Sequence, residues 1–219
     1  MDAWQALDRI RGCGIIAVLR GDFPPQKAIA VADVLLEAGI TSVELTYNSP
    51  DWREALPAVR DAFGDRLLVG MGTVLNHVQV REALAQGAQF LVSPALDPAS
   101  VSTAHAAGVL MAPGAATPTE AVQAAALGCQ LVKFFPAGVL GVDYFRTMRG
   151  PLSDINFSCN GHMHLGNIAD FLRAGAAVCG VAGDGLAGNG SRPLSEIRAI
   201  AHEMMALVRE VRAEKQPVP

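Results

Sequence analysis

A helix, a glycine and a short apolar run follow one another repeatedly along this 219-residue chain, and this repeat most constrains its fold. The unit recurs as EAGITSVEL, AQGAQFLVS, AAGVLMAP, ALGCQLVKF and RAGAAVCGV. Its glycine suits the left-handed end of a helix, from which the chain turns into the next strand. Because strands alternate with helices throughout, the pattern predicts a parallel sheet.

Eight such units predict an α/β fold, a (β/α)8 TIM barrel, as a single domain over residues 1–219. An open, doubly wound sheet is the alternative architecture. Residues 2–11 are predicted to form an extra N-terminal helix, and residues 216–219 a frayed tail. The eight predicted strands cover residues 14–19, 42–46, 67–71, 90–93, 109–112, 131–134, 155–159 and 177–181.

The composition argues against several classes of protein. A formal net charge of -4 does not favour binding to nucleic acid or to an anionic membrane surface. No apolar run has the length of a membrane span, and the N-terminus lacks the basic and apolar regions of a signal peptide. We therefore expect a cytoplasmic protein with no nucleic-acid or membrane partner. The cysteines lie in or beside apolar stretches and are expected to be buried and free: Cys13, Cys129, Cys159 and Cys179.

Lys133 is the residue that most directly indicates chemistry. It lies in the apolar run QLVKFFP, which reads as a buried strand. Burial penalises the charged form of a lysine and favours the neutral amine, which attacks carbonyl carbons. The run therefore points to a Schiff-base enzyme acting on a ketone or aldehyde. The alternative is a lysine whose charged end reaches solvent at the end of a strand.

Glu44 is a second charge in an apolar strand, Val43-Glu44-Leu45. In a barrel of this type the chemistry lies at the carboxyl ends of the strands. Two opposite charges that meet there would compensate each other's burial and tune each other's pKa. A buried ion pair without chemistry is the alternative. Other polar or special residues at predicted strand ends are Arg20, Thr73, Pro94, Asn160 and the pair Gly183-Asp184.

Glycine-rich segments follow the last two predicted strands, at Asn160-Gly161 and at Gly183-Asp184-Gly185. Backbone N–H groups in these two loops form the usual phosphate cradle of such barrels. No P-loop and no dinucleotide-binding fingerprint is present. The triplet His162-Met163-His164 has a spacing that could hold a metal, but only Asp184 is a candidate third ligand. We therefore expect no metal.

Several motifs resemble the 2-keto-3-deoxy-6-phosphogluconate aldolase family, which includes 4-hydroxy-2-oxoglutarate aldolases and phosphogalactonate aldolases. They are VELT, GTVLN, GAQFLVSPALDP, MAPGAATPTEA and VKFFPA, and they occur at successive strand ends in the family's order. The resemblance extends from about residue 15 to about residue 186. It implies a class I aldolase that forms pyruvate, requires no cofactor and assembles as a homotrimer.

The resemblance also implies roles for individual residues. The Schiff-base lysine falls on Lys133, and the general acid/base glutamate falls on Glu44. Four further family positions fall on Thr73, near the pyruvoyl carboxylate, on Pro94 after strand four, on Phe135 after the lysine, and on Arg20, which contacts anionic substrate groups.

The departures from the family are concentrated where phosphate would bind. The segment Asn160-Gly161-His162 replaces threonine-glycine-glycine, and Ala182-Gly183-Asp184 stands near the family's glycine-serine pair. If Asp184 takes the place of that serine, its carboxylate would repel a phosphate dianion. If the register shifts by one, Gly183 replaces the serine. The strand-two loop Asn48-Ser49-Pro50 resembles the phosphogalactonate branch.

These features predict cleavage of a 2-keto-3-deoxy-6-phospho sugar acid, of the gluconate or galactonate series, to pyruvate and glyceraldehyde 3-phosphate. In the second hypothesis the substrate is an unphosphorylated 2-keto acid such as 4-hydroxy-2-oxoglutarate. Its hydroxyl groups would then be bound by Asn160, His162 and Asp184. A catalytically inactive barrel that binds a sugar acid or acts as a scaffold is the third.

Overall fold

The computed structural model describes residues 1–214, so the predicted tail at 216–219 lies outside the described residues. Its strands are β1 Ile15–Leu19, β2 Ser42–Thr46, β3 Leu68–Gly72, β4 Phe90–Val92, β5 Leu110–Ala112, β6 Gly114–Ala115, β7 Val132–Phe134, β8 Phe157–Asn160 and β9 Val178–Ala182. Its α-helices are α1 Ala3–Cys13, α2 Pro25–Glu37, α3 Trp52–Phe63, α4 His77–Ala85, α5 Pro98–Ala106, α6 Pro118–Ala126, α7 Ala137–Leu140, α8 Val142–Arg149, α9 Ile168–Arg173 and α10 Leu194–Glu214.

The strands form one parallel sheet in the order β5-β4-β3-β2-β1-β9-β8-β7-β6. Its two ends, β5 and β6, are separated only by Pro113; β5 lies within the predicted fifth strand at 109–112, and β6 lies beyond it. The carbonyl of Ala112 accepts a hydrogen bond from the Ser93 N–H at 3.1 Å, on the β4 side. The carbonyl of Pro113 accepts one from the Lys133 N–H at 2.8 Å, on the β7 side. The broken strand thus links β4 to β7 and closes the barrel.

The predicted TIM barrel is therefore confirmed, and the open sheet is excluded for residues 1–214. The structure has nine strands where eight were predicted, because the two-residue β6 follows Pro113, which lacks the N–H that would continue the ladder from β5. The short helix α7 was not anticipated. The predicted helix before the first strand is present as α1.

Side chains on alternate strand positions separate into two apolar layers. Outward-facing residues such as Val43 and Phe134 pack beneath the surrounding helices. Inward-facing residues such as Ile16 and Phe90 fill the lumen together with Leu7 and Ile10 of α1. Helix α1 therefore packs against the apolar core of the lumen. The buried charged residues Glu44 and Lys133 lie on two other strands, β2 and β7.

Local signals explain where the helices begin. Proline stands in the first turn of α2, α5 and α6, where its missing N–H costs no hydrogen bond. The side chains of Asn76, Asp97 and Thr117 accept hydrogen bonds from the first backbone N–H groups of α4, α5 and α6. All four cysteines are free and buried, as predicted. No helix within residues 1–214 is both long and apolar enough to cross a membrane.

Candidate active site

A cavity of about 260 Å³ opens at the carboxyl end of the barrel. It is lined by residues of β1, β2, β7, β8 and β9 and of the segments that follow β1, β7 and β8. The lining side chains include Arg20, Glu44, Lys133, Phe135, Asn160 and His162. Lys133 and Glu44, the two opposite charges predicted to meet at the barrel mouth, both line this cavity.

Lys133 is held in the lumen by the strand that carries it. Its neighbours Val132 and Phe134 face the helix layer, so the lysine side chain points inward and is only 4% exposed. Its Nζ lies 4.8 Å from the centroid of the Phe135 ring. No ion pair within 4 Å is formed by this nitrogen among residues 1–214. The amine is therefore buried, within the lining of a cavity and free of a direct salt bridge.

Glu44 reaches the same cavity from β2 and is 1% exposed. Its Oε2 is buried and has no hydrogen-bond partner within the described chain. Its Oε1 lies over Gly72 on β3, where a Cβ atom would be only 1.6 Å away. The carboxyl group thus fits only because Gly72 has no side chain, and its Oε2 accepts no hydrogen bond from the described chain.

Burial changes the proton affinity of both groups. Desolvation raises the pKa of Glu44, while the charges of Lys133 and Arg20 act in the opposite direction. Desolvation also lowers the pKa of Lys133, the Arg20 charge adds to this, and Glu44 opposes it. Both shifts favour the uncharged forms, namely a neutral amine able to attack a carbonyl and a carboxyl group able to hold or release a proton.

Gly72→Ala is expected to damage the site by displacing Glu44. The added methyl group would overlap Oε1, and overpacking of a filled interior costs about 1–3 kcal/mol of unfolding free energy. Urea unfolding measures this loss, and aldol cleavage by the variant should fall as well. Gly12→Ala in α1 is the control, since nothing lies within 4 Å of its new Cβ. An unchanged stability and activity for Gly72→Ala would contradict this placement of Glu44.

Arg20 and Thr73 form a second polar pair at the same end of the barrel. Arg20 Nη2 donates a hydrogen bond to Thr73 Oγ1 at 3.1 Å. Thr73 has a φ of 60°, which is rare for a β-branched residue and concentrates at functional sites. Arg20 lines the cavity directly, whereas Thr73 reaches it through this hydrogen bond.

A second cavity of about 470 Å³ adjoins the first, and the two share Arg20, His162 and Ala182. The segment Gly183–Gly185 and Asn189 form much of its wall. Asp184 is exposed at the centre of a single 3-10 turn, and its backbone carbonyl accepts a hydrogen bond from Arg192 Nη1 at 3.0 Å. Of the residues predicted for the phosphate end, His162, Gly183 and Asp184 line this second cavity, whereas Asn160 and Gly161 line the first.

One predicted site residue lies apart from the others. Pro94 is not among the residues that line either cavity, and its carbonyl packs instead against Gly114. Ser158 was not predicted as a site residue, yet its Oγ donates a hydrogen bond to Asn160 Oδ1 at 2.7 Å inside the lumen. The signal was available, because polar residues two apart in a strand lie on the same face.

Within residues 1–214 no group of three or more His, Cys, Asp or Glu side chains is arranged to hold a metal ion. His164 instead contacts the backbone of its own loop, where its Nδ1 accepts a hydrogen bond from the Gly166 N–H at 3.1 Å. Asn167 Oδ1 accepts one from the His164 N–H at 2.9 Å. The His-Met-His triplet therefore belongs to a structured turn before α9.

Known aldolases are similar to this chain in sequence and in fold. The sequence is 37% identical over 171 residues to the 2-dehydro-3-deoxy-6-phosphogalactonate aldolase of Escherichia coli K12, covering 78% of this chain and 83% of the relative. It is 35% identical over 170 residues to a 2-dehydro-3-deoxy-phosphogluconate aldolase of Treponema pallidum, covering 77% and 79%. A solved structure described as native KDPGal superposes with a TM-score of 0.85 and 33% identity, covering 91% of this chain and 96% of that one.

The family profile described as KDPG and KHG aldolase matches residues 7–195, which include all the candidate site residues. The same residues build the barrel, both cavities and the buried lysine–glutamate pair. The chain therefore belongs to the KDPG and KHG aldolase family and is an aldolase.

Proposed function

We propose that the protein cleaves a 2-keto-3-deoxy-6-phospho sugar acid to pyruvate and glyceraldehyde 3-phosphate through a Schiff base on Lys133. The observation that carries the proposal is the burial of Lys133 and Glu44 in one cavity without a direct salt bridge between them. An ion pair that served stability alone would be expected to close to hydrogen-bond distance, because buried charges need partners. The amine and the carboxyl oxygens are instead more than 4 Å apart and line the same cavity.

The proposed reaction begins with attack of the neutral Lys133 Nζ on the C2 ketone. Loss of water gives a protonated imine, which accepts the electron pair when the C3–C4 bond breaks. Glu44 takes the proton of the C4 hydroxyl, directly or through one water, as that oxygen becomes the aldehyde. The resulting enamine is protonated at C3 by the same carboxyl group, and water then releases pyruvate and the free lysine.

The other cavity residues have proposed binding roles. Arg20, linked to Thr73, would bind an anionic end of the substrate, and Phe135 would cover the reacting carbons. The loops at Gly161 and at Gly183 would bind the phosphate through backbone N–H groups. For Pro94, a role in substrate binding rests on the family resemblance alone. No cofactor is needed, because the lysine imine itself is the electron sink.

Borohydride trapping with pyruvate tests this function. We expect one reduced pyruvate adduct per chain, located on Lys133 by peptide mass spectrometry. An unmodified Lys133 after treatment would refute the Schiff-base mechanism. It would support the hypothesis of a catalytically inactive barrel.

A second candidate is an aldolase for an unphosphorylated 2-keto acid. Asp184 supports it, because its exposed carboxylate lines the distal cavity where a phosphate dianion would have to lie. Steady-state cleavage of phosphorylated and dephosphorylated keto acids separates the two. The phosphosugar proposal expects kcat/KM to be at least ~10-fold higher with phosphate, since one hydrogen bond to a charged group contributes about 1.5–3 kcal/mol. Equal or better turnover without phosphate would favour the second candidate.

The series of the sugar acid is tested with the two C4 epimers. The loop Asn48-Ser49-Pro50 favours the galactonate series, and Escherichia coli and Rhizobium meliloti relatives bear phosphogalactonate names. The Treponema pallidum relative bears a phosphogluconate name.

A homotrimer and a cytoplasmic location are further proposals from the family resemblance and the sequence. Light scattering of the purified protein measures the oligomeric state.

A further inference from the structure

A buried serine–asparagine pair lies in the lumen beside Lys133. Ser158 and Asn160 occupy alternate positions of β8 and are 1% and 4% exposed. Phe157, which precedes the pair, and Cys159, which lies between its two members, face the helix layer. Ser158 Oγ donates a hydrogen bond to Asn160 Oδ1 at 2.7 Å. Both polar side chains therefore point into the barrel, where an unsatisfied polar group is costly.

The strand register places this pair next to the candidate catalytic lysine. Ser158 is the direct partner of Lys133 on β7, and Asn160 is the partner of Gly180 on β9. A Cβ atom at Gly180 would lie 1.9 Å from Asn160 Nδ2, so the amide lies over bare backbone. Ser158 on one side and Gly180 on the other thus hold the amide in place.

An asparagine amide presents an acceptor at one end and two donors at the other. The Ser158 hydroxyl has a single proton, and it donates this proton to Oδ1. The amide nitrogen is thereby turned away from the serine. Within residues 1–214 this nitrogen has no protein acceptor, and Asn160 lines the first cavity. A donor is therefore directed at a space that the protein leaves for a ligand.

We propose that Ser158 is a positioning residue that orients Asn160, so that Nδ2 donates to an oxygen on the aldehyde-derived half of the substrate. The inference rests on the proposed aldolase function. Arg20 and Thr73, at the ends of β1 and β3, would bind the substrate carboxylate, and β9 lies between β1 and the strand that carries Asn160. Asn160 directly precedes Gly161 and His162, where the two cavities adjoin. The carbons beyond C3 therefore run past the amide.

The experiment compares Ser158→Ala with Ser158→Thr in two assays, substrate cleavage and pyruvate trapping. We expect Ser158→Ala to lower kcat/KM for cleavage about tenfold, the effect of losing one well-oriented hydrogen bond. Ser158→Thr, which keeps the hydroxyl, should restore kcat/KM to within about threefold of wild type. Both variants should trap pyruvate at the wild-type rate, because pyruvate lacks the aldehyde-derived half. A parallel loss in trapping would overturn the inference.

A double-mutant cycle shows whether the serine acts through the asparagine. Asn160→Leu removes the donor at similar size, so Ser158→Ala should cost nothing further in that background. A tenfold loss that persists there would contradict the positioning role. Should Ser158→Ala unfold, Ser158→Cys carries the same comparison with a weak donor of similar volume. Wild-type protein that traps no pyruvate at all would instead refute the aldolase function itself.

Discussion

Lys133→Met is expected to abolish both pyruvate trapping and aldol cleavage, with kcat/KM for cleavage falling by at least ~10⁴-fold. Methionine fills the same buried volume but has no nucleophilic nitrogen, so no imine can form. Folding should be retained, because the change replaces a buried amine by an apolar side chain of similar volume. Circular dichroism and thermal unfolding check the fold, and mass spectrometry after borohydride checks the adduct.

Lys27→Met is the matched control, since Lys27 is a second lysine but pairs with Asp22 at the surface. It should trap pyruvate like the wild type. Cleavage that survives in Lys133→Met, or an adduct that moves to Lys27 without loss of rate, would show that the buried amine is not the nucleophile.

Glu44→Gln is expected to separate the two half-reactions. The amide keeps the volume and polarity of the side chain but cannot take the proton of the C4 hydroxyl, so cleavage should fall about 10²–10⁴-fold. Pyruvate trapping should persist, because attack by Lys133 on the ketone does not require a proton acceptor on the C4 oxygen. Comparing the rates of cleavage and trapping in the same preparation measures this separation.

The pH dependence of trapping gives the sign of the coupling between the two groups. Burial lowers the pKa of Lys133, and the Glu44 charge partly offsets that effect. Removing the charge should therefore lower the pKa of Lys133 further, and trapping by Glu44→Gln should extend to lower pH than in the wild type. Glu37→Gln, which alters a surface ion pair with Arg198, should leave the pH profile unchanged. A profile shifted to higher pH in Glu44→Gln would contradict the arrangement.

The same shifts predict how stability changes with pH. Folding raises the pKa of Glu44 above its unfolded value of 4.5. The folded protein therefore loses stability as the pH rises from 4.5 towards the pKa of Glu44 in the folded state. The uncharged glutamine has no such penalty. The free energy of unfolding of Glu44→Gln, relative to that of the wild type, should therefore increase as the pH rises above 4.5. The increase should stop once Glu44 is ionised in the folded wild type.

The order of elements could be predicted because its signals are local. Proline at the first turn of helices such as α5 and α6, and glycine at their ends, act within a few residues and repeat along the chain. Pro113 was in plain view, yet its effect depends on its neighbours in space. Ala112 just before it pairs with β4, and the carbonyl of Pro113 itself pairs with β7, so the ladder passes from one neighbour to the other at this residue.

The candidate site likewise contains residues that the sequence predicted and contacts that it did not. Lys133 and Glu44 could be singled out because a charge within an apolar strand is costly and therefore rare. The bond from Arg20 to Thr73 and the space that Gly72 gives to Glu44 could not, because they join strands that are far apart in sequence. The same holds for Gly180 beneath Asn160.

By itself, the sequence determined that strands and helices alternate and which two charges must be buried. Only the tertiary structure decided which backbone gives each charge its room and which donors remain free to meet a substrate. The physical reason is range. Strand alternation and helix capping act between near neighbours in the chain, whereas the shape and polarity of a cavity arise from distant residues brought together when the barrel closes.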